Sequence, residues 1–283
     1  MSDLDFGHND VEFLVIDNGS DDDTIAVLEE ISKRLPLTYW TETTAGKNRC
    51  LNQALDKANG ELLVFTDDDV TPNTDWLMQY AAAFERWPDD HVFGGRIALR
   101  FPPTTPDWIA QLQPPYSTYA FSDFDLNLPE GPTHRCPTGP NMAVAAALFA
   151  SHRFNPDVGP AGKSYAMGSE TELLFRLRDA GHRFIYLPDA RVEHRIRTDQ
   201  LSLDWLAGRA RRLGRGAARS ANKSTRIGGI RWKIWVKLLI AAPVSWLTTF
   251  LPDRWRFWSI WNRNAAAGFL HEAAQMQSEA PAD

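Results

Sequence analysis

Two apolar runs that each end in a cluster of acidic and amide side chains constrain this chain most. Val11–Asp17 (VEFLVID) opens into NGSDDD, and Glu61–Thr66 (ELLVFT) opens into Asp67, Asp68 and Asp69. Short unbroken apolar runs of this kind fit strands buried on both faces, and the polar clusters mark where the chain leaves the sheet. Between and after them the period changes. Ile25, Leu28, Ile31 and Leu35 make a helical stripe closed by Pro36, with Asp23 or Thr24 as its cap. Leu37–Trp40 reads as a short strand. A helix is expected from Lys47 to Ala58, with Gly60 just past its end, and another from Asp75 through Arg86. This strand–loop–helix alternation predicts the α/β class, a mixed and mostly parallel sheet with flanking helices.

Further on, Val92–Phe101 predicts a strand, and residues 102–135, rich in proline and aromatics, read as a long loop. Ser169–Ala180 predicts a helix followed by Gly181. Phe184–Leu187 and Arg191–His194 read as two short strands, and helical patterns dominate from Asp204.

The carboxylates after the third strand candidate are the first chemical signal. In open α/β sheets ligands bind at the carboxyl ends of the strands. In an extended chain Asp67 and Asp69 point one way and Asp68 the other. Two carboxylates on one side suit a hard cation, Mg2+ or Mn2+, which would bridge phosphate oxygens. The plainer reading is a solvated acidic turn ahead of the Trp76 helix.

The ordered set of motifs is more specific than any one of them. FLVIDNGSDDDT, GKNRCLNQALDKANGELLVFTDDDVTPNTDWL, TGPNMAVAAALF and GSETELLFRLRDAGHRFIYLPDARVEHRI together resemble a family 2 glycosyltransferase of the GT-A fold, over roughly residues 11 to 197. The resemblance implies inverting transfer of a sugar from a nucleotide diphosphate sugar to a glycan, lipid-linked or cell-surface acceptor, with Mg2+ or Mn2+ as cofactor.

It also implies roles. Asp17 and Asn18 fall at the base-recognition position, where Asp is the commoner second residue. Lys47, at a helix start, lines the nucleotide and suits a diphosphate. Asp67 and Asp68 belong with the nucleotide sugar, and Asp69 is the metal ligand of the DxD motif. Gly139 and Asn141, in TGPNM, lie beneath donor sugar and acceptor. Glu170 stands where the family carries its general base. The family usually has Glu-Asp there, whereas this chain has Ser169-Glu170. His194 completes the metal site or contacts the diphosphate. Read without the resemblance, Glu170 is an acid favoured by a helix N-terminus and His194 a structural histidine. Relatives also begin with a VSVIIPTYNR-like strand and a helix ahead of the segment that starts here at Val11, so the sheet is expected to lack that first strand. The competing reading is a degenerate, non-catalytic binding protein. A nucleotidyltransferase would carry a Gly-rich loop after its first strand, and none is visible.

The charge is divided along the chain. Residues 1–190 hold 14 Lys+Arg against 29 Asp+Glu, residues 191–264 hold 16 against 4, and the last 19 add three acids, which returns the net of -6. Seven of the eleven tryptophans lie at or beyond Trp205. Two parts are therefore expected: residues 1–200 as the catalytic domain and 201–283 as a basic, Trp-rich helical region. Cations beside aromatics suit the anionic face of a membrane, and no nucleic-acid motif supports a nucleic-acid partner. The apolar run near Leu238–Leu251 is about fourteen residues, short of the roughly 20 a span needs. With no signal-peptide pattern and only Cys50 and Cys136, the expectation is a cytoplasmic, reduced protein, peripheral on the inner face of the plasma membrane. The tail Glu272–Asp283 is expected to fray.

Overall fold

The computed structural model describes residues 3–112, 121–161, 165–220, 226–227, 230–231 and 253–278. The chain divides into two compact units that interleave in sequence. One comprises Met1–Arg100, Pro115–Pro156 and Ser169–Arg195, the other Phe101–Pro114, Asp157–Gly168 and Ile196–Asp283.

In the first unit the elements run β1 (Phe13–Asp17), α1 (Thr24–Ser32), β2 (Leu37–Thr41), α2 (Lys47–Lys57), β3 (Leu62–Phe65), β4 (Val70–Pro72), α3 (Trp76–Arg86) and β5 (Val92–Arg100). After α4 (Asp107–Ala110), which belongs to the other unit, come β6 (Gly131–Thr133), β7 (Met142–Ala145), α5 (Ser169–Asp179) and β8 (Phe184–Arg195). The predicted strands and helices are present, with local changes. Asp22, not Asp23 or Thr24, accepts the Thr24 N–H ahead of α1 (3.0 Å). Of the α1 stripe only Leu28 is buried.

The main sheet has the order β3-β7-β5-β8-β4, with β6 also on β8. It is mixed, but less parallel than the alternation suggested. Among the described residues only β5–β8 and the separate pair β1–β2 are parallel, while β7 runs antiparallel to both β3 and β5. Strand direction is set by how the chain returns to the sheet, and β7 returns through the long connection after β5 rather than through a helical crossover. Successive residues of β5 serve two cores. Phe93 and Ile97 pack with Trp76 and Tyr80 of α3, whereas Val92 packs with Leu173, Leu174 and Leu177 of α5. The sheet is thus sandwiched between α3 and α5.

The two strands expected at Phe184–Leu187 and Arg191–His194 are one. Leu187 pairs with Gly95 and Arg191 with Arg96, so residues 188–190 are looped out of the β5 ladder. Pro188, which has no N–H to give, starts the excursion. The side chain of Asn141 fills the break: its amide donates to the carbonyls of Arg96 (2.9 Å) and Ala190 (2.8 Å). Gly95 is required there, because a Cβ would collide with Asn141 and the Ala190 carbonyl.

A cavity of about 1040 Å³ separates β1 from β3, walled by Leu51 and Leu55 of α2 and by Leu77, Tyr80 and Phe84 of α3. Among the described residues, β1 pairs only with β2 and β3 only with β7.

In the second unit, α6 (Leu203–Arg219) and α7 (Asp253–Ser278) cross at glycines; a Cβ on Gly214 would enter the Ala265 backbone, and one on Gly268 the Arg211 carbonyl. Ser202 caps α6 by accepting the Trp205 N–H at 3.2 Å. The tail does not fray at Glu272. That carboxylate is buried between α6 and α7, 2.5 Å from Arg215 and 2.5 Å from Arg219. Trp232, Trp235, Trp246 and the run Leu238–Leu251 lie outside the described residues. Two short strands, β9 (Arg226–Ile227) and β10 (Ile230–Arg231), pair antiparallel.

Candidate active site

The site is built where β3 ends and the N-termini of α2 and α5 meet. Gly46, at φ +151°, turns the chain into α2 and leaves Lys47 as the first helical residue. The Lys47 ammonium stands 2.9 Å from Oδ1 of Asp67, just past β3, and 2.7 Å from Oε1 of Glu170, in the first turn of α5. Burial works against the charge on Lys47, but the Glu170 and Asp67 carboxylates outweigh it and push its pKa above the ordinary lysine range. Gly139 lies against Glu170 on another side, and a Cβ there would stand 2.5 Å from Oε1.

Two residues beyond Asp67, Asp69 faces His194: Oδ1 to Nε2 is 3.3 Å. The β4–β8 ladder makes this pair. Val70 is in register with His194, and the Arg195 N–H donates to the Asp69 carbonyl at 2.9 Å. His194 is buried and its Nδ1 has no partner. A carboxylate oxygen and an imidazole nitrogen at this spacing match neighbouring ligands of a six-coordinate hard cation, ~3 Å apart. Among the described residues no cluster of three His, Cys, Asp or Glu side chains could hold a metal, so a cation here would take its other ligands from water and phosphate. Asp68 is exposed between the two pairs. The alternation read from the sequence is therefore refined: Asp67 and Asp69 both leave the solvent-facing side but serve different partners.

Three of the residues expected at the donor make hydrogen bonds within the protein. Asp17 is buried, and it accepts the N–H groups of Gly19 (3.3 Å) and Ser20 (3.1 Å); hydrogen bonding from Ser20 holds its carboxyl below the usual range against the opposing effect of burial. Asn18 donates to the Glu42 (2.7 Å) and Thr44 (3.0 Å) carbonyls and accepts the Gly46 N–H (2.8 Å), which shapes the loop leading to Lys47. Asn141 is fully buried. Besides its two donated bonds, its oxygen accepts from Trp76 Nε1 (2.7 Å) and the Tyr80 hydroxyl (2.8 Å), so its side chain has nothing left for a sugar. Tyr80, which the sequence did not single out, also accepts the Gly95 N–H at 3.0 Å, and burial raises its pKa.

The mixed sheet between helices sets paired carboxylates at one strand end and brings a lysine and an acid to them on two helix N-termini. Residues 3–147 match the profile of Glycosyl transferase family 2, and the chain belongs to that family. The succinoglycan biosynthesis protein ExoM of Rhizobium meliloti is 26% identical over 71% of this chain and 62% of its own length. The glucosyl-dolichyl phosphate glucuronosyltransferase of Haloferax volcanii is 25% identical over 53% of this chain and 48% of its own. The alignments thus span less than two thirds of either relative. Among solved structures, the mannosyltransferase PcManGT of Pyrobaculum calidifontis, in complex with GDP-Man and Mn2+, superposes with a TM-score of 0.61 at 18% identity, over 98% of this chain and 81% of that one. S. aureus TarS 1-349 with UDP-GlcNAc gives 0.52 at 15% identity, over 98% and 86%. These likenesses establish the shared GT-A fold.

Proposed function

We propose that the chain is a metal-dependent, inverting glycosyltransferase that moves a sugar from a nucleotide diphosphate sugar to a glycan or lipid-linked acceptor. The observation that carries this reading is the bridge from Asp67 through Lys47 to Glu170, set two residues from the Asp69–His194 pair. A base candidate, a phosphate-binding cation and a metal-ligand pair are thereby assembled from four separate stretches of chain. The metal seen in PcManGT supports Mn2+ or Mg2+ as the cofactor.

In this reading Glu170 removes the proton from the acceptor hydroxyl. The acceptor oxygen bonds to the anomeric carbon as the bond from that carbon to the diphosphate oxygen breaks, and a single displacement inverts the centre. A positioned base contributes about 10²–10⁴-fold. Lys47 and the N-terminus of α2 take up charge on the diphosphate. Asp69 and His194 would hold the divalent cation, which when bound neutralises the leaving group. The test is transfer or hydrolysis of radiolabelled nucleotide sugars with Mn2+. Loss of turnover in Glu170→Gln with nucleotide binding retained is expected; a Gln variant that turned over normally would exclude Glu170 as the base. A wild-type protein that binds no nucleotide sugar would favour the non-catalytic alternative.

The proposal extends to a cytoplasmic location, peripheral on the inner face of the plasma membrane. Its support is the basic, Trp-rich composition of residues 191–264 and the exposure of Trp255 and Trp258. Part of the cationic character is used inside the protein: Arg215 and Arg219 clamp Glu272, Arg209 stacks on Trp205, and Arg212 on Tyr165. No helix among the described residues is long and apolar enough to cross a membrane. Flotation with phosphatidylserine vesicles tests this part, and failure to float at low salt would remove it.

A further inference from the structure

We propose that Lys47 is a positioning residue that alternates between base and donor: it holds the Glu170 carboxylate until a nucleoside diphosphate draws its ammonium away. The proposal rests on the reading of Glu170 as the base. One ammonium serves two carboxylates, Asp67 at 2.9 Å and Glu170 at 2.7 Å, and the three groups carry a net charge of -1. The side chains are 31%, 30% and 18% exposed, so the contacts are partly shielded from water and count for more than surface pairs.

Glu170 also has little room to leave by another route, because Gly139 closes one side at a distance that would not admit a methyl group. While Oε1 accepts from Nζ, that oxygen is occupied by the ammonium. A diphosphate arriving at the N-terminus of α2 offers the ammonium two or more negative charges in place of one. Lys47 can turn to it while keeping Asp67, since an ammonium has three N–H groups. Glu170 Oε1 is then released towards the acceptor hydroxyl. The base becomes available only after the donor has bound.

The consequence is energetic coupling that needs no acceptor to observe. In the proposed switch donor binding breaks the Lys47–Glu170 contact, so removing the Glu170 charge should tighten nucleotide binding, and only when Lys47 is present. The experiment is calorimetric titration of UDP and of GDP, each with Mn2+, into wild type, Glu170→Gln, Lys47→Met and the double variant, with circular dichroism to confirm folding. Glu170→Gln is expected to lower Kd about 3- to 10-fold in the wild-type background and to change it less than about 2-fold in the Lys47→Met background. Lys47→Arg keeps the cation and is expected to keep the gain, so the cycle does not depend on one variant's stability. Equal tightening with and without Lys47, or none with it, overturns the switch while leaving the donor site intact. Wild-type protein that binds neither nucleotide overturns the donor site itself, and the switch with it.

Discussion

His194 reaches Asp69 across the β4–β8 ladder, Nε2 to Oδ1 at 3.3 Å, and the three-residue strand Val70–Pro72 is what brings them together. Replacing His194 by Gln or Asp69 by Asn removes one of the two protein ligands proposed for the cation. Loss of an outer-shell group alone costs 10–100-fold in metal affinity, so a direct ligand should cost at least about that much. Titration of Mn2+ followed by its EPR signal, with UDP or GDP present, should show the weakening. Unchanged Mn2+ affinity in both variants would remove the pair from the metal site.

Asn141 supports the bulge in β8 with four hydrogen bonds, two donated and two accepted. Asn141→Leu would strand the Trp76 N–H, the Tyr80 hydroxyl and two backbone carbonyls in a dry interior. At about 1–3 kcal/mol for each unsatisfied group, relaxed in part by water entry, a loss of ~3–5 kcal/mol is expected in urea unfolding. Tyr80→Phe, which leaves the Gly95 N–H without its acceptor and Asn141 Oδ1 with one donor instead of two, should cost ~1–3 kcal/mol. Nucleotide affinity measured on folded Asn141 variants should change little, and a selective loss of donor binding without loss of stability would restore Asn141 to the ligand site.

Gly139→Ala tests the packing behind Glu170, the proposed base. The added methyl group meets Glu170 and pushes it aside, with no requirement for an unusual backbone angle. Displacement of about 1 Å can cost on the order of 10²-fold in rate. The expected result is that fall in turnover with nearly normal thermal stability, and wild-type turnover would show that Glu170 has slack at this contact.

His182 sits against the rings of His91 (5.8 Å between centroids) and His152 (6.3 Å). Burial, then the charges of the other two imidazoles, lower its pKa in the folded protein. The unfolded chain therefore takes up the proton first as pH falls. The contribution is fully present above the ordinary imidazole range, near pH 6.5, and is lost as pH drops through that value and the lower folded one. His182→Gln should flatten the stability-pH curve between about pH 7 and 5. Parallel curves for variant and wild type would assign that slope to other groups.

Glu272 holds α6 to α7 through Arg215 and Arg219, which outweigh the effect of burial and keep its carboxyl below the ordinary range. Its contribution is present above the ordinary glutamate range and is lost as pH falls through the folded value. Glu272→Gln leaves two guanidinium groups facing a neutral amide and should destabilise this unit by ~3–5 kcal/mol. Hydrogen exchange in α6 and α7 is the direct measure, and unchanged protection would show that the glycine crossing suffices.

The parts of this architecture written in local periodicity were legible. The strands at Phe13–Asp17 and Leu62–Phe65 and the helix from Lys47 follow from apolar runs, a 3.6 period and glycines at the borders. The direction of β7 was not legible, because strand orientation depends on the route of a connection and leaves no mark on residues 142–145. The hydrogen bonds of Asn141 were not legible for a related reason: an amide ahead of an apolar run carries no sign that it fills a gap in a ladder 45 residues away. Lys47 and Glu170 were each singled out on the family resemblance, yet their contact spans 123 positions and no spacing rule could announce it.

β8 is flanked by β5, β4 and β6 and by the side chains of both cores, and His194 rides on its last turn of pleat. Lys47 and Glu170 instead stand at helix ends, where backbone bonds open most readily. One half of the constellation is thus mounted on the element whose opening requires the whole sheet to come apart, the other on elements that yield locally. A cation seated at His194 and Asp69 would meet a fixed anvil, and local adjustment of the site would fall to Lys47 and Glu170.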